Sequence, residues 1–371
     1  MARISRRQLL GAVGAGGVGL VAGCTDLIAG EDDEAGETGL DGGTLDELPE
    51  ISATIGYDAA ESRTAESHVA AVAFQEYVED ATDGQFDIEL ASGGSLGSDS
   101  EMAEQIQDGT LELQSGASEG HLGPFYPNFN VYAIPFIFES VELATHVLDH
   151  EYGERLFEDF RESTGMRIIG HWDNGGFRSF SFNQEVTSME DFEGLDIRMQ
   201  EIESHNELVR QLGANPTPID WGETYTALDQ GVVDGHDNAI PTMLMGDIHE
   251  VQEFILMSQH FYSAGHMLCG DDWYQDLEPL YQSLVREAST FASLEARRQT
   301  AAIRETGREY MEEQGVEVYD PSEEFLEELR NATQDPVEDI IREEVEDESW
   351  VDDLYDAVEE SRVQLAEEEL S

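Results

Sequence analysis

From Ile51 almost to the end of the chain, apolar residues recur with two periods, one of about 2 and one of about 3.6 residues. ISATIGYD, beginning at Ile51, predicts a strand. Val69, Val72, Ala73 and Val78 then predict a helix from Ala65 to Glu79. A strand at Gln85–Leu90 leads through the turn SGGSLGSDSE into a helix at Glu101–Gln107, followed by a short strand at Leu111–Gln114. Val131–Ile134 follows a proline-punctuated loop, helices fit Val141–His150 and Tyr152–Ser163, and a strand fits Met166–His171. Strands at Arg178–Phe182 and Leu195–Met199 flank a short connecting helix. Helices at Ile202–Leu212 and Glu223–Gln230 come next, then strands at Val232–Gly235 and Phe254–Met257 and an extended aromatic segment, Gln259–Cys269. After Pro279 the pattern is helical to about Gln314. A short strand at Val316–Tyr319 and helices over Ser322–Arg330 and Asp335–Glu368 complete the chain. Strands alternating with helices predict an α/β fold with largely parallel sheets. The long helix after two α/β blocks, with a helical tail, predicts two lobes joined by crossings of the chain.

Charge changes the picture next. The 371 residues carry 82 acids against 18 bases, a formal charge of −64, and every base is an arginine. Such a surface repels nucleic-acid phosphates and anionic lipid. Its self-repulsion is screened over only about 3 Å in 1 M salt. The composition therefore reads as adaptation to strong brine, of a halophilic, archaeon-like kind. The apolar periodicity argues against intrinsic disorder.

Residues 1–23 read as an address. Ser5-Arg6-Arg7-Gln8-Leu9-Leu10 opens on a twin arginine, and Val21-Ala22-Gly23-Cys24 resembles a lipoprotein cleavage box, with Cys24 the lipidated residue. The 15 residues from Leu9 to Gly23 fall short of the roughly 20 a spanning helix needs. An uncleaved anchor and simple secretion are the alternatives. Cleavage removes Arg3, Arg6 and Arg7 and no acid, leaving 15 bases. With Cys24 acylated, Cys269 is the remaining thiol, so no intrachain disulfide forms. Residues 24–50, acidic and glycine-rich, read as a flexible tether.

Signs of catalysis are weak. Gly93, Gly94 and Gly97 follow a strand but match neither dinucleotide nor phosphate loops. Gly116, Ser118 and Gly120 match G-x-S-x-G, yet GHLGPFYP does not propagate the helix a nucleophile elbow requires. His146 and His150 are four apart but lack the glutamate of H-E-x-x-H, and paired carboxylates say little in so acidic a chain. The arginines are the informative minority. Arg178, among Phe177, Phe180 and Phe182, and Arg198, in LDIRM, sit in strand-like runs where an unpaired charge is costly to bury. Each is either half of an arginine–carboxylate pair at a lobe boundary or a forked clamp on a ligand carboxylate. Trp221 is a core residue or an aromatic plate. Asn238 is a turn residue or a ligand amide.

These segments together resemble the solute-binding component of tripartite ATP-independent periplasmic (TRAP) transporters, the DctP family named for C4-dicarboxylate uptake. The resemblance spans residues 52–330 and rests on G-S-L-G followed by EMAEQIQDGTLEL, then YAIPFIF, NGGFR, M-x-D-F-x-G-L-D-I-R and LGANPTPIDWGETYTALDQGVVDGHDN. It implies a two-lobed periplasmic-binding-protein-like α/β fold with mixed sheets, a long helix spanning both lobes and a helical C-terminal tail. Lobe I is placed at 51–175 and 265–303, and lobe II at 176–264 and 304–371. It implies capture of a small organic carboxylate, a C4-dicarboxylate or a 2-oxo or hydroxy acid, for membrane subunits driven by a cation gradient. Neither chemistry, cofactor nor metal is expected. The family's carboxylate clamp falls on Arg198, its second arginine on Arg178, its aromatic on Trp221 and its asparagine on Asn238. A pocket residue three beyond the clamp falls on Glu201, and an acidic position of some members falls near Glu119, with the spacing off by one. The usual E-N-P reads Asp237-Asn238-Ala239, with the proline delayed to Pro241. A ligand-sensing lipoprotein and a secreted hydrolase are the rival readings.

Overall fold

The computed structural model describes residues 48–368; the export segment, Cys24 and most of the tether lie outside them. The chain opens with β1 (Ile51–Gly56), α1 (Glu66–Thr82), β2 (Phe86–Ala91), α2 (Asp99–Gln107), β3 (Leu113–Ala117) and the one-turn α3 (Glu119–Leu122). Next come α4 (Val141–Asp149), α5 (Glu151–Thr164), β4 (Met166–Phe182), β5 (Asp196–Met199), α6 (Glu203–Gln211), β6 (Asn215–Pro218), α7 (Trp221–Asp229), β7 (Gly235–Asn238) and α8 (Ile240–Met245). It ends with β8 (Phe254–Gly270), α9 (Asp271–Asp276), α10 (Pro279–Glu313), β9 (Glu317–Tyr319), α11 (Glu323–Glu344) and α12 (Ser349–Glu368).

One sheet carries the fold. Its order is β2-β1-β3-β8-β4-β7-β5-β6, with β9 beside β8. Pairing is parallel on both flanks, where helices cross between strands. At the centre β4 and β8 run antiparallel through both halves of the sheet. The mixed architecture expected from the resemblance is therefore present, whereas the largely parallel sheet read from periodicity holds only within the flanks, since β8 is also antiparallel to β3 and β4 to β7. Each central strand looked like two pieces in sequence because it is bulged. Register shifts fall between Asp173 and Gly176 and between Arg178 and Phe180. Gly175 and Gly176, at φ of 76° and 92°, carry the first bulge in the left-handed region that glycine alone enters without cost.

The long helix behaves as its pattern predicts. α10 packs against α1 and β4 at one stage of its length and against α8 further on, so it reaches both halves. Between a larger start (Tyr281, Leu284, Val285) and end (Ile303, Met311), the middle of its buried stripe is small: Ala288, Ser289, Ala292, Ser293 and Ala296. This lets the helix lie directly on β4, where a Cβ on Gly170 would stand 2.6 Å from Ser293 Oγ and 3.1 Å from the Ser289 carbonyl. Of the tail, α11 lies on α6, and α12 packs against α4. Arg155 bonds Asp353 at 2.7 Å, and Tyr152 Oη donates to the Trp350 carbonyl at 3.0 Å.

Three elements differ from the sequence reading. The strand expected at Val232–Gly235 lies instead at Gly235–Asn238. Gly231, at φ 64°, follows the end of α7, and Val232 is left 56% exposed on a turn. Asn215–Pro218, read as a rigid loop, is an edge strand, the one place in a sheet that tolerates prolines. The tail breaks after Glu344 and not near residue 332. Pro336 sits inside α11, while Leu329, Thr333, Val337 and Ile341 form its buried stripe.

β7 is wedged tightly against β4. A Cβ on Gly235 would lie 2.3 Å from the Ser181 carbonyl oxygen and 2.5 Å from the Phe182 ring. Gly235→Ala should lower the unfolding free energy by about 2 kcal/mol or more in urea titration. Gly222→Ala, within α7 and with open space around its Cβ, should leave it unchanged or raise it by up to about 1 kcal/mol.

Candidate functional site

Where the bulge at Asn174–Gly176 meets the ends of β5 and β7, a cleft encloses about 500 Å³ of atom-free space, part of it open to solvent. From one side come Arg178 on β4, Arg198 on β5, Trp221 at the start of α7, Asn238 at the end of β7, and Thr242 and Met245 on α8. From the other come Asp58 beyond β1, Glu66 and Ser67 at the start of α1, Asp99 at the start of α2 and His121 in α3.

The two arginines have different fates. Arg178 is fully buried and forks onto Asp237, with Nε to Oδ2 at 2.5 Å and NH2 to Oδ1 at 2.9 Å. NH2 also donates to the Asp237 carbonyl at 2.9 Å, and NH1 to Asn238 Oδ1 at 3.3 Å. Burial alone would raise the Asp237 pKa, but the Arg178 charge and hydrogen bonds outweigh it and hold the carboxyl well below its usual range. Four of the five guanidinium N–H groups are thus occupied, leaving one on NH1.

Arg198 is 3% exposed and forms no salt bridge with a carboxylate among the described residues. Its Nε donates to the Ile219 carbonyl at 2.7 Å, and its Cζ lies 6.0 Å from the Trp221 ring. Neither NH1 nor NH2 makes a hydrogen bond among the described residues, so four N–H donors are left for the cleft. Burial, then repulsion from Arg178, brings its pKa down to about 10, still charged at neutral pH. Trp221 is seated by Gly246, where a Cβ would come within 2.6 Å of the indole.

The remaining expected residues lie elsewhere. Glu201 is exposed and faces a separate hollow beside Pro124, Pro127 and Glu344, so its expected place beside Arg198 is taken by Gln200, which lines the cleft. Glu119 is wholly buried behind the cleft, where Ser263 Oγ donates to its Oε1 at 3.0 Å; burial raises its pKa. Ser118 is not set up as a nucleophile. His121 Nδ1 accepts from the Ser118 N–H at 3.1 Å, and the same nitrogen faces Ser118 Oγ at 3.2 Å and Asp99 at 3.8 Å. A proton relay needs serine and aspartate on opposite ring nitrogens. Among the described residues no group of three or more His, Cys, Asp or Glu converges to hold a metal ion.

Residues 57–344 match the model of "Bacterial extracellular solute-binding protein, family 7". The chain belongs to that family. Relatives of this family 7 protein include the 2,3-diketo-L-gulonate-binding periplasmic protein of Escherichia coli K12, 26% identical over 76% of this chain and 84% of that one. A TRAP periplasmic solute-binding protein from Roseobacter denitrificans, solved with bound β-D-glucuronate, is 26% identical with a TM-score of 0.76 over 83% of this chain and 99% of its own. The sugar acid binding protein of Advenella mimigardefordensis, solved with galactonate, shares the fold with a TM-score of 0.80, at 24% identity over 85% of this chain and all of its own.

Sequence reasoning missed the acidic side of the family 7 cleft. Burial pushes the Asp58 carboxyl up to about 6, helped by the Asp99 charge. Burial likewise brings Asp99 up to about 6 and Glu66 up to about 7, while it lowers His121 to about 4 and so keeps the imidazole neutral. The available signal was positional: Glu66 opens a helix, and Ser98 with Glu101 forms a capping box that fixes where Asp99 lies.

Glu66 yields a signed prediction. Its folded pKa, about 7, lies above its ordinary 4.5, so the ionised form opposes folding at pH 8. That opposition fades as the group takes up its proton on acidification. Glu66→Gln should therefore stabilise the ligand-free protein at pH 8 by up to about 3 kcal/mol, with the gain gone by about pH 4. Thermal melts of both proteins across pH 4–8 check this.

Proposed function

We propose that this protein captures a small organic carboxylate in the cleft and delivers it to the membrane subunits of a TRAP transporter. The observation that carries this reading is Arg198, a buried guanidinium with four free N–H donors in a chain where acids outnumber bases 82 to 18. Acids were abundant enough to pair it, as Asp237 pairs Arg178, and among the described residues none does. Its fork matches a ligand carboxylate, with the remaining NH1 donor of Arg178 and the Asn238 amide beside it and Trp221 as a plate. The sugar acids bound by its relatives support a carboxylate as the common element. The bulge at Asn174–Gly176 coincides with the proposed division between 51–175 with 265–303 and 176–264 with 304–371, and so supplies a hinge at the cleft.

Export and attachment complete the reading. Arg6 and Arg7 direct twin-arginine export, and acylated Cys24 holds the protein at the outer face of the cell membrane. The acid-rich surface is suited to strong salt, where steering over distance is screened and binding rests on short contacts inside the cleft. Cys24→Ser should move the protein from the membrane fraction to the medium or soluble fraction on cell fractionation.

The arginines separate binding from folding. With D-glucuronate and succinate as titrants, Arg198→Ala should weaken calorimetric affinity at least about tenfold, with little loss of stability. Arg178→Ala, which strands Asp237, should cost about 3–5 kcal/mol in unfolding. Unchanged affinity in Arg198→Ala would refute the assignment.

A further inference from the structure

The cleft has two walls of opposite character. Toward Arg198 the lining is cationic or amide-bearing, with Arg178 already neutralised by Asp237. Facing it are three carboxylates, Asp58, Glu66 and Asp99, supplied by three separate stretches of chain. None has an arginine partner among the described residues. Asp99 accepts from Gln114 Nε2 at 3.1 Å and from the Asp58 backbone N–H, and stands 3.8 Å from neutral His121. Glu66 is 5% exposed; its carboxylate accepts from its own backbone N–H and meets no side-chain donor among the described residues. Buried acidic side chains without a cation and a buried cation with unused N–H donors, lining one cavity, point to a ligand that engages both.

Resting on the carboxylate-capture reading, we infer that Asp58, Glu66 and Asp99 form an acidic wall that selects a polyhydroxylated monocarboxylate and rejects a dicarboxylate. One ligand carboxylate answers Arg198. A second, at the far end of a four-carbon acid, would be pressed against carboxylates with no cation between them. Hydroxyl groups suit that wall, since each donates to a carboxylate oxygen in a short charge-assisted bond. His121 adds to it: with Nδ1 accepting from Ser118, its proton sits on Nε2. An ammonium-bearing zwitterion is the competing partner for three acids. The acids, however, come from three stretches of chain, and among the described residues no three are grouped to hold a metal ion. Their spread suits several separate donors better than one compact charge. Burial, which raises all three pKa values, leaves Glu66 part-protonated at pH 7, able to donate as well as accept. That state suits a hydroxyl and not a cation.

The test is a calorimetric panel on the full-length protein, stripped of bound solute, in high salt at pH 7.5: D-gluconate, D-glucuronate, succinate, L-malate, glycine betaine and D-glucose. A hydroxylated monocarboxylate should bind at least about 100-fold tighter than either dicarboxylate, with betaine and glucose weaker still. Asp58→Asn, Glu66→Gln and Asp99→Asn should each narrow that ratio by about tenfold, mainly by weakening the hydroxy acid. The wild-type ranking needs no variant to fold. A dicarboxylate that binds as tightly as the hydroxy acids, or preferential binding of betaine, would overturn the acidic wall while leaving Arg198 as the clamp. Hydroxy-acid binding that survives Arg198→Ala, or no binding of any acid in the panel, would overturn the capture reading and the wall with it.

Discussion

The fork between Arg178 and Asp237 decides the electrostatics of the cleft. Both side chains are wholly buried, where an isolated charge of either sign would be very costly, and their paired hydrogen bonds at 2.5 and 2.9 Å offset that cost. The pair also ties β4 to β7, and places Asn238, the next residue along β7, against Arg178 NH1. With Arg178 neutralised in this way, Arg198 on the adjoining β5 is the cleft arginine without a salt bridge among the described residues. Two arginines that look alike in sequence are thereby divided into one locked to a carboxylate and one whose NH1 and NH2 groups are left for the cleft.

The sheet makes this division possible. β4 and β8 run through both halves, so the cleft forms where they bulge, and Gly175 and Gly176 supply the left-handed backbone the bulge requires. α10 lies on β4 through a stripe of Ala and Ser, close enough that Gly170 has no room for a Cβ. These contacts brace the centre of the molecule. The walls of the cleft come instead from strand ends and helix starts, where backbone groups and short turns can be aimed at a ligand.

Much of this was legible in the sequence, for reasons particular to its composition. Arginine is scarce, so Arg178, Arg198 and their aromatic and amide neighbours Trp221 and Asn238 stood out, and all four line one cavity. The acidic wall was hidden because 82 acids give no contrast; only burial distinguishes Asp58, Glu66 and Asp99 from the solvated majority. Glu201, the position the resemblance gave three residues beyond Arg198, faces another hollow. In a pleated strand the shared face repeats every two, and it is Gln200 that meets the cleft. The strand at Gly235–Asn238 was missed because GHDN has no strand propensity; its place between β4 and β5 outweighs that. Bulges hid the continuity of β4 and β8 for a similar reason, since they interrupt the period of two on which a strand is recognised.

The central claim is that an unpaired, buried arginine in an otherwise acidic protein exists to hold the carboxylate of a captured solute. Mass spectrometry of small molecules released from protein purified natively, without a stripping step, tests it most directly. The account predicts about one equivalent of a single organic acid bearing one carboxylate and several hydroxyls. A stoichiometric solute without a carboxylate, whether neutral or cationic, would contradict it.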